Sequence, residues 1–347
     1  MASPVVAIVG DGFMRSVAFA AALDAACGAG LAVRTLDLPW PDEPMVNGEP
    51  GSPLAGLREY LGDPAEIVRF VGDAEILVTH LAPLSDAMMA SLPALSLVAV
   101  SRGGPVNIDL GSARRRGVKV VNVPGRNASA VAEFTIGAIL CETRLIRAGH
   151  EGLRRGEWRG DLYRADVTGR ELSEMTVGIV GYGEVGRRVV RLLRAFGCRI
   201  LVTDPYVRLS GEDGAAGVRQ VALDALLADS DVVSLHARVT PETTGMMDVA
   251  AFARMRPGAV FVNTARGPLV DHAALHDALV SGRLRGAMLE TFAVEPPPAD
   301  WPLLRLPNVT LTPHIAGASQ RTVAYAAARL ADEVRRHIAG EPALQPC

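Results

Sequence analysis

The stretch 174–204, EMTVGIVGYGEVGRRVVRLLRAFGCRILVTD, is the most informative part of this 347-residue chain. Its apolar run at 177–180 has the length and composition of a buried strand. A segment with apolar residues at helical spacing follows, and a second apolar run, 200–203, leads to Asp204. This order predicts one strand–helix–strand unit whose two strands lie in a parallel sheet.

Three glycines follow the first of these strands in the order G-x-G-x-x-G: Gly181, Gly183 and Gly186. The first permits a tight turn, the second lets backbone N–H groups approach a pyrophosphate, and the third allows close helix–strand packing. The helix N-terminus adds unpaired donors and partial positive charge. Asp204 stands where a carboxylate would bind the ribose hydroxyls and repel a 2′-phosphate, so the unit predicts a dinucleotide site that prefers NAD to NADP.

Composition limits the class of protein. A chain of 347 residues exceeds one ordinary domain, so two domains are expected. The formal net charge of -3 and the lack of a long basic run argue against nucleic-acid binding. The four cysteines have no spacing typical of zinc sites or disulfide frameworks, so no metal is expected. With no targeting signal or membrane-spanning apolar run, the sequence predicts a soluble, cytoplasmic protein.

Short apolar runs alternate with helical patterns on both sides of the glycine-rich unit. Runs at 76–79 and 97–101 predict strands of a first, smaller parallel sheet. Further runs predict strands of a second sheet: 232–235, 259–263, 286–289 and 309–311. We therefore predict an α/β protein of two doubly wound parallel-sheet domains, a Rossmann NAD-binding domain and a flavodoxin-like substrate domain.

The last helical pattern, 319–339, predicts a helix that returns to cover the first sheet. The substrate-binding domain is therefore expected to comprise residues 1–107 and 316–347, and the Rossmann domain residues 108–315. The two crossings between these domains are expected to act as the hinges of a closing cleft, which would exclude water during the reaction.

Charged side chains follow three predicted strands of the second half. Arg266 comes just after one strand, Glu290 and Glu295 after the next, and His314 directly after the last. The carboxyl ends of parallel strands share one edge of a sheet, so these groups are expected beside the nucleotide. An Arg fits a carboxylate, a His moves a hydroxyl proton, and a Glu beside that His raises its pKa. The set is what alcohol–ketone interconversion requires.

With these residues the chain resembles the D-isomer-specific 2-hydroxyacid dehydrogenase family, which includes 3-phosphoglycerate, glycerate and D-lactate dehydrogenases. The likeness begins near Val100 and includes the segments VGIVGYGEVGRRV, FVNTARGPLVD and LETFAVEPPPADWPLLRLPNVTLTPHIAG. It implies an NAD-dependent oxidoreductase that interconverts a D-2-hydroxy acid and its 2-oxo acid by hydride transfer. In that case His314 would be the acid/base, Glu295 its partner, and Arg266 would hold the substrate's carboxylate and carbonyl.

The resemblance also implies binding residues. Backbone N–H groups of Gly103 and Gly104 would hold the substrate carboxylate. For His80, lining of the substrate cleft and simple loop packing are both open, and Arg102 is predicted to line that cleft or to face solvent. Glu290 takes a place where the family usually has an Asp that touches the nicotinamide. The predicted cofactor contacts are Gly181, Gly183, Glu184, Val185, Gly186, Asp204, His236, Ala237, Arg238, Thr264, Ala265 and Glu290.

Partners and substrate stay open at this point. The helical pattern of 127–150 has a broad apolar arc, and the resemblance implies a homodimer joined through this region. Two other functions are open: phosphite-type oxidation on the same scaffold, and a non-enzymatic NAD-sensing regulatory protein. If Arg102 or Arg238 turns inward, a substrate with a phosphate or a second carboxylate is expected.

Overall fold

The computed structural model describes residues 3–28, 30–42 and 45–347. The chain divides into two compact units, which we call the first unit (Met1–Arg126 with Ala318–Cys347) and the second unit (Asn127–Gly317). Parallel sheets of five and seven strands form their centres. The prediction of two doubly wound parallel-sheet domains is confirmed. Within the described residues no helix has both the length and the apolar character needed to cross a bilayer.

The first unit has the sheet order β2-β1-β3-β4-β5, so the direction of strand addition reverses between β1 and β3. Its strands are β1 (Val5–Gly10), β2 (Ala32–Asp37), β3 (Ile76–Thr79), β4 (Leu97–Val100) and β5 (Lys119–Val121). Its helices are α1 (Ser16–Cys27), α2 (Pro64–Val71), α3 (Asp86–Ala90), α4 (Leu110–Arg115) and α12 (Gln320–Ile338).

Both faces of this first sheet are covered. Successive side chains of a strand point to opposite faces, and in β1 all of them from Val6 onward are buried. Ile8 packs with α1 and α12 on one face, whereas Val9 packs with α2, α3 and α4 on the other. The last helix therefore returns to cover the first sheet, as the sequence predicts.

The second unit has the sheet order β12-β11-β10-β9-β6-β7-β8. Its strands are β6 (Thr176–Val180), β7 (Arg199–Thr203), β8 (Arg219–Gln220), β9 (Val232–Leu235), β10 (Ala259–Asn263), β11 (Leu284–Leu289) and β12 (Val309–Leu311). Its helices are α5 (Ala128–Thr143), α6 (Ile146–Arg154), α7 (Glu184–Arg194), α8 (Gly211–Ala215), α9 (Leu223–Asp229), α10 (Val249–Arg254) and α11 (His272–Val280). Helices α5 and α7 cover one face, and α9, α10 and α11 cover the other.

The single helix predicted over 127–150 is wrong, because two helices occupy this stretch. Helix α5 ends at Thr143 and α6 begins at Ile146, with Leu145 in the left-handed conformation at φ 58°. Gly169 packs so closely against this end that a Cβ there would lie 1.8 Å from the carbonyl oxygen of Thr143. The sequence pattern also predicts a second helix over 151–158, whereas α6 covers Ile146–Arg154.

The structural units and the predicted functional domains differ in two short segments. Strand β5 pairs with β4, and residues 108–126 belong to the first unit, although the sequence analysis places them in the Rossmann domain. Residues 316–317 belong to the second unit. Which unit binds substrate and which binds nucleotide stays a prediction.

The glycine-rich turn needs glycine for two different reasons. Gly181 has a φ of +97°, and a Cβ there would lie 2.7 Å from the carbonyl carbon of His236. A Cβ on Gly186 would lie 2.1 Å from the carbonyl oxygen of Gly181, so this glycine lets α7 pack against the end of β6. Around Gly183, by contrast, a Cβ would meet no atom within 4 Å.

We expect Gly186→Ala to lower the free energy of unfolding by about 1–3 kcal/mol, the usual cost of forcing a group into packed structure. Alanine favours helices by about 1 kcal/mol over glycine, so any net loss reflects the clash. Urea denaturation of both proteins measures the difference. Gly183→Ser is the control, and we expect it to stay within about 0.5 kcal/mol of the wild type. Equal stability of Gly186→Ala and the wild type would contradict the packing described.

Candidate functional site

Asp204 holds the glycine-rich turn from the end of the neighbouring strand β7. Its Oδ2 accepts a hydrogen bond from the backbone N–H of Tyr182 at 2.7 Å. Its Oδ1 accepts from the N–H groups of Tyr206 and Val207, each at 2.9 Å. A carboxylate offers about four lone-pair positions, so these bonds leave room for about one more donor, such as a ribose hydroxyl.

The side chain of Tyr182, a residue of the same turn, anchors that turn to α8. Sequence reasoning missed this contact. The Tyr182 side chain is buried, and its hydroxyl donates to the carboxylate of Asp213 in α8. Arg194 binds that carboxylate at 3.1 Å. Burial raises the pKa of Tyr182, and the hydrogen bond to Asp213 raises it further. An aromatic residue between the first two glycines was the signal that could have revealed this contact.

The other residues predicted to contact the cofactor line the same edge of the sheet. Glu184 pairs with Arg188 at 2.7 Å, which lowers the pKa of Glu184, and Val185 packs into the core below α7. The backbone of His236 and Ala237 lies against Gly181. The side chain of Arg238 is exposed, so it does not turn inward.

His236 is neutral because burial lowers its pKa to about 3. Its Nε2 bonds the hydroxyl of Ser234 at 3.0 Å, while its buried Nδ1 has no partner among the residues that the structure describes. That unpaired atom, the open space at Gly183 and the remaining acceptor position on Asp204 all suit a bound dinucleotide. The residues present therefore fit NAD.

The predicted catalytic residues follow three neighbouring strands, β10, β11 and β12. His314 Nδ1 lies 2.8 Å from Glu295 Oε2. A carboxylate only accepts, so Nδ1 carries the hydrogen and Nε2 stays available to a ligand. The other oxygen of Glu295 accepts from the N–H of Phe292 at 2.9 Å, and the N–H of His314 donates to the carbonyl of Glu290 at 3.1 Å. The pair is thus held by backbone bonds on both sides.

Charges around this pair favour the imidazolium. The hydrogen bond that His314 donates to Glu295 raises the pKa of His314; burial lowers it, but the negative charges of Glu295 and Glu290 add to the rise. For Glu295, burial alone would raise the pKa, yet the bond with His314 and the charge of His314 outweigh it and the pKa is lowered. The side chain of His314 is 42% exposed, so solvent or a ligand reaches it.

Arg266 follows β10 and is exposed, with Nη1 donating to the carbonyl of Ala265 at 2.7 Å. Its loop is shaped by Asn263, whose side chain donates to the Arg266 carbonyl and accepts from the Ala265 N–H, each at 3.0 Å. The loop packs on the one after β11, since a Cβ on Gly267 would lie 1.9 Å from the carbonyl carbon of Phe292. The charge of Arg266 consequently acts on both members of the carboxylate–imidazole pair.

Two other residues predicted to contact the cofactor, Glu290 and Thr264, form buried hydrogen bonds within the second unit. Glu290 is 1% exposed and its Oε1 accepts from the N–H of Ala316 at 2.8 Å, so it braces the turn after His314. Burial raises the pKa of Glu290. Thr264 shares a buried 2.8 Å hydrogen bond with Thr135 of α5, a residue that sequence reasoning missed. Their contact with the cofactor stays a prediction.

Apart from Arg266, the residues predicted to bind substrate belong to the first unit, after β3 and β4. The carbonyls of Gly103 and Gly104 accept from Asn122 and Val106, at 3.0 Å and 2.9 Å, and their own N–H groups donate to no acceptor in the described part of the chain. Arg102 pairs with Glu59, whose side chain is exposed. His80 is buried and bonds Asp11 at 2.8 Å, and burial lowers its pKa to about 4.

The second unit resembles a known protein family. Residues 136–316 match the family model described as "D-isomer specific 2-hydroxyacid dehydrogenase, NAD binding domain". YoaD of Bacillus subtilis (strain 168), named as a 2-hydroxyacid dehydrogenase, is 42% identical over 246 residues, which cover 70% of this chain and 70% of YoaD.

Two further relatives extend the comparison. The D-3-phosphoglycerate dehydrogenase of Mycobacterium tuberculosis is 38% identical over 280 residues, which cover 80% of this chain and 52% of that enzyme. The chain therefore spans about half the length of the phosphoglycerate dehydrogenases that it matches. A protein of Thermus thermophilus with a crystal structure has a TM-score of 0.78 at 29% identity, with 98% of this chain and 99% of that chain covered.

We expect Glu295→Gln to lower the pKa of His314, because it removes the charge and the hydrogen bond that favour the imidazolium. In the wild type that pKa lies above the ordinary value of 6.5. The stabilising effect of the charged pair is present below the ordinary pKa of histidine as long as Glu295 is ionised, and it is lost as pH rises through the raised pKa of His314. An NMR titration of the His314 ring in the wild type and in Glu295→Gln measures the two pKa values. Glu341→Gln, on the surface of the first unit, is the control, and unchanged midpoints in both variants would contradict the pairing.

Proposed function

Because this chain belongs to the D-isomer specific 2-hydroxyacid dehydrogenase family, a family of NAD-dependent oxidoreductases, we propose that it interconverts a D-2-hydroxy acid and its 2-oxo acid. The observation that carries the proposal is the hydrogen bond of 2.8 Å between His314 and Glu295, close to the charge of Arg266. The pair stands at the carboxyl edge of the sheet that also bears the glycine-rich turn.

His314 is the proposed acid and base. With Nδ1 committed to Glu295, its Nε2 faces the reacting group and takes the hydroxyl proton when the 2-hydroxy acid is oxidised. In the reverse direction the imidazolium returns that proton to the carbonyl oxygen. Glu295 stabilises the imidazolium in both directions, which its lowered pKa supports. NAD, when bound, supplies the acceptor or donor of the hydride.

Arg266 is the proposed receptor of the substrate's carboxylate and carbonyl. Its guanidinium has one donor occupied by the neighbouring Ala265 carbonyl, and the remaining donors suit a planar oxygen pair. We also propose that the unpaired N–H groups of Gly103 and Gly104 bind the substrate carboxylate. Backbone donors and a guanidinium both favour an anionic ligand.

Asp204 is the proposed basis of a preference for NAD over NADP. Its carboxylate accepts three backbone hydrogen bonds, which keep it in place at the end of β7. A 2′-phosphate would meet this negative charge, whereas a 2′-hydroxyl would donate to it. The exposed Tyr206 next in the chain brings no compensating cation.

A second copy of this chain is the proposed macromolecular partner. The prediction places the dimer contact at 127–150, but much of α5 packs inside its own unit through residues such as Ile139. Large apolar side chains are exposed from α6 onward instead: Ile146 at 57%, Leu153 at 59% and Trp158 at 84%. A homodimer would bury this surface.

We expect His314→Gln to reduce kcat/KM by roughly 10²–10⁴-fold with the best 2-oxo acid and NADH, because a positioned acid/base contributes about that much. A panel containing glyoxylate, hydroxypyruvate and pyruvate identifies that substrate. Binding of NADH, followed by fluorescence, is expected to persist and shows that the variant is folded. His276→Gln, a surface histidine of α11, is the matched control. A loss below tenfold in His314→Gln would refute the assigned role.

We expect the wild type to sediment as a dimer and the double variant Leu153→Asp/Trp158→Asp to sediment as a monomer, because charges would then occupy the proposed contact. Analytical ultracentrifugation over a range of concentrations measures the masses. Val280→Asp, an exposed apolar residue of α11, serves as the control and should remain dimeric. A monomeric wild type, or a dimeric double variant, would be incompatible with this contact.

A further inference from the structure

Three side chains of the first unit form a hydrogen-bonded chain where its sheet reverses direction. Asp11 directly follows β1 and His80 directly follows β3, the two strands on either side of the reversal. Arg126 follows β5 at the same carboxyl edge. Open α/β sheets bind ligands at this place, beyond the carboxyl ends of the strands that flank the reversal.

The hydrogen bonds show which atom donates and which accepts at each step from Arg126 through His80 to Asp11. Asp11 accepts from the backbone N–H groups of Phe13 and Met14, at 2.9 and 2.8 Å, and its other oxygen lies 2.8 Å from His80 Nδ1. Nδ1 is therefore the protonated nitrogen of His80. Its Nε2 must accept, and it accepts from Arg126 Nη2 at 2.9 Å, because a guanidinium only donates. The buried histidine is thus a neutral support for a cation.

Arg126 has only neutral direct partners. Nη1 donates to the hydroxyl of Ser101 at 3.2 Å, Nη2 donates to His80, and the guanidinium carbon lies 5.8 Å from the centre of the Phe13 ring. It forms no ion pair with a carboxylate of residues 3–28, 30–42 or 45–347, and the charge of Asp11 reaches it only across the imidazole. An arginine has five N–H donors, so donors remain for a ligand.

This arrangement is costly unless an anion completes it. Burial and the neighbouring charge of Arg102 lower the pKa of Arg126 to about 10, which still leaves it charged at neutral pH. A partly desolvated cation that is held by neutral groups gains from an incoming anion more than an exposed cation does. Arg102, the arginine singled out from the sequence, is paired with Glu59.

The residues that hold Arg126 are themselves held in place by burial and hydrogen bonds. Ser101 and Asp11 are fully buried, and the N–H of Ser101 donates to the carbonyl of Thr79 at 2.8 Å. Asn107 donates to the carbonyls of His80 and Ala82, at 3.3 and 2.8 Å, which fixes the loop after β3. Because its partners are fixed before a ligand arrives, the guanidinium loses little freedom on binding.

We propose that Arg126, supported by His80 and Asp11, is an oxoanion site of the first unit, and that it binds a ligand with a carboxylate or a phosphate group. The fork of guanidinium donors fits both kinds of oxoanion, so their shared chemistry is what the site recognises.

Variants of Arg126 test the oxoanion site in the full chain. Arg69→Gln, an exposed arginine of α2, is the control.

A binding measurement tests the site without turnover. Calorimetry of the full chain with succinate, and separately with inorganic phosphate, should show binding by the wild type that weakens at least tenfold in Arg126→Gln. Arg126→Lys keeps the positive charge without the fork, and it should bind with intermediate affinity. If Arg126→Gln is unstable, as a thermal melt would show, the lysine variant still tests the fork.

The outcomes are independent of the proposed function. Equal affinities of the wild type and both Arg126 variants for succinate and for phosphate would overturn the oxoanion site. Binding of neither anion by the wild type would overturn it as well.

Discussion

All strands of each sheet run in the same direction, and this constraint determines where polar groups can gather in both units. The central strands are buried on both faces, so their charged and polar neighbours in sequence lie mostly at the strand ends. Parallel pairing places all carboxyl ends at one edge. Residues that are far apart in the chain, such as Glu295 and His314, consequently come within hydrogen-bond distance of each other.

The same carboxylate–imidazole pair occurs in both units with opposite consequences. His314 is partly exposed, and Glu295 raises its pKa, so the ring can exchange a proton near neutral pH. His80 is buried, and burial lowers its pKa to about 4 even though Asp11 favours the charged form. Access of solvent therefore decides which pair suits proton transfer and which one suits rigid support. Arg126 beside His80 adds a further reason for the neutral ring, since a second N–H would face a donor.

The positions of strands could be predicted from the sequence where a run of apolar residues marked them clearly. Strands at 76–79, 232–235, 259–263 and 309–311 are found as predicted, because continuous apolar runs of this length suit buried parallel strands. Strand β2 was missed because it lies at a sheet edge and is largely exposed. The break at Leu145 was missed as well, since no glycine or proline marks it and a distant glycine packs against the helix end.

The sequence by itself determined the two-domain α/β architecture, the glycine-rich turn and the identity of the groups at Arg266, Glu295 and His314, because each depends on residue type and short-range order. Only the tertiary structure decided which of the charged residues are neutralised and which remain available to a ligand. Arg102 meets Glu59, Tyr182 meets Asp213, and Arg126 meets the buried His80. These partners are 31 to 46 residues apart in sequence, so only the packing of the folded chain brings them into contact.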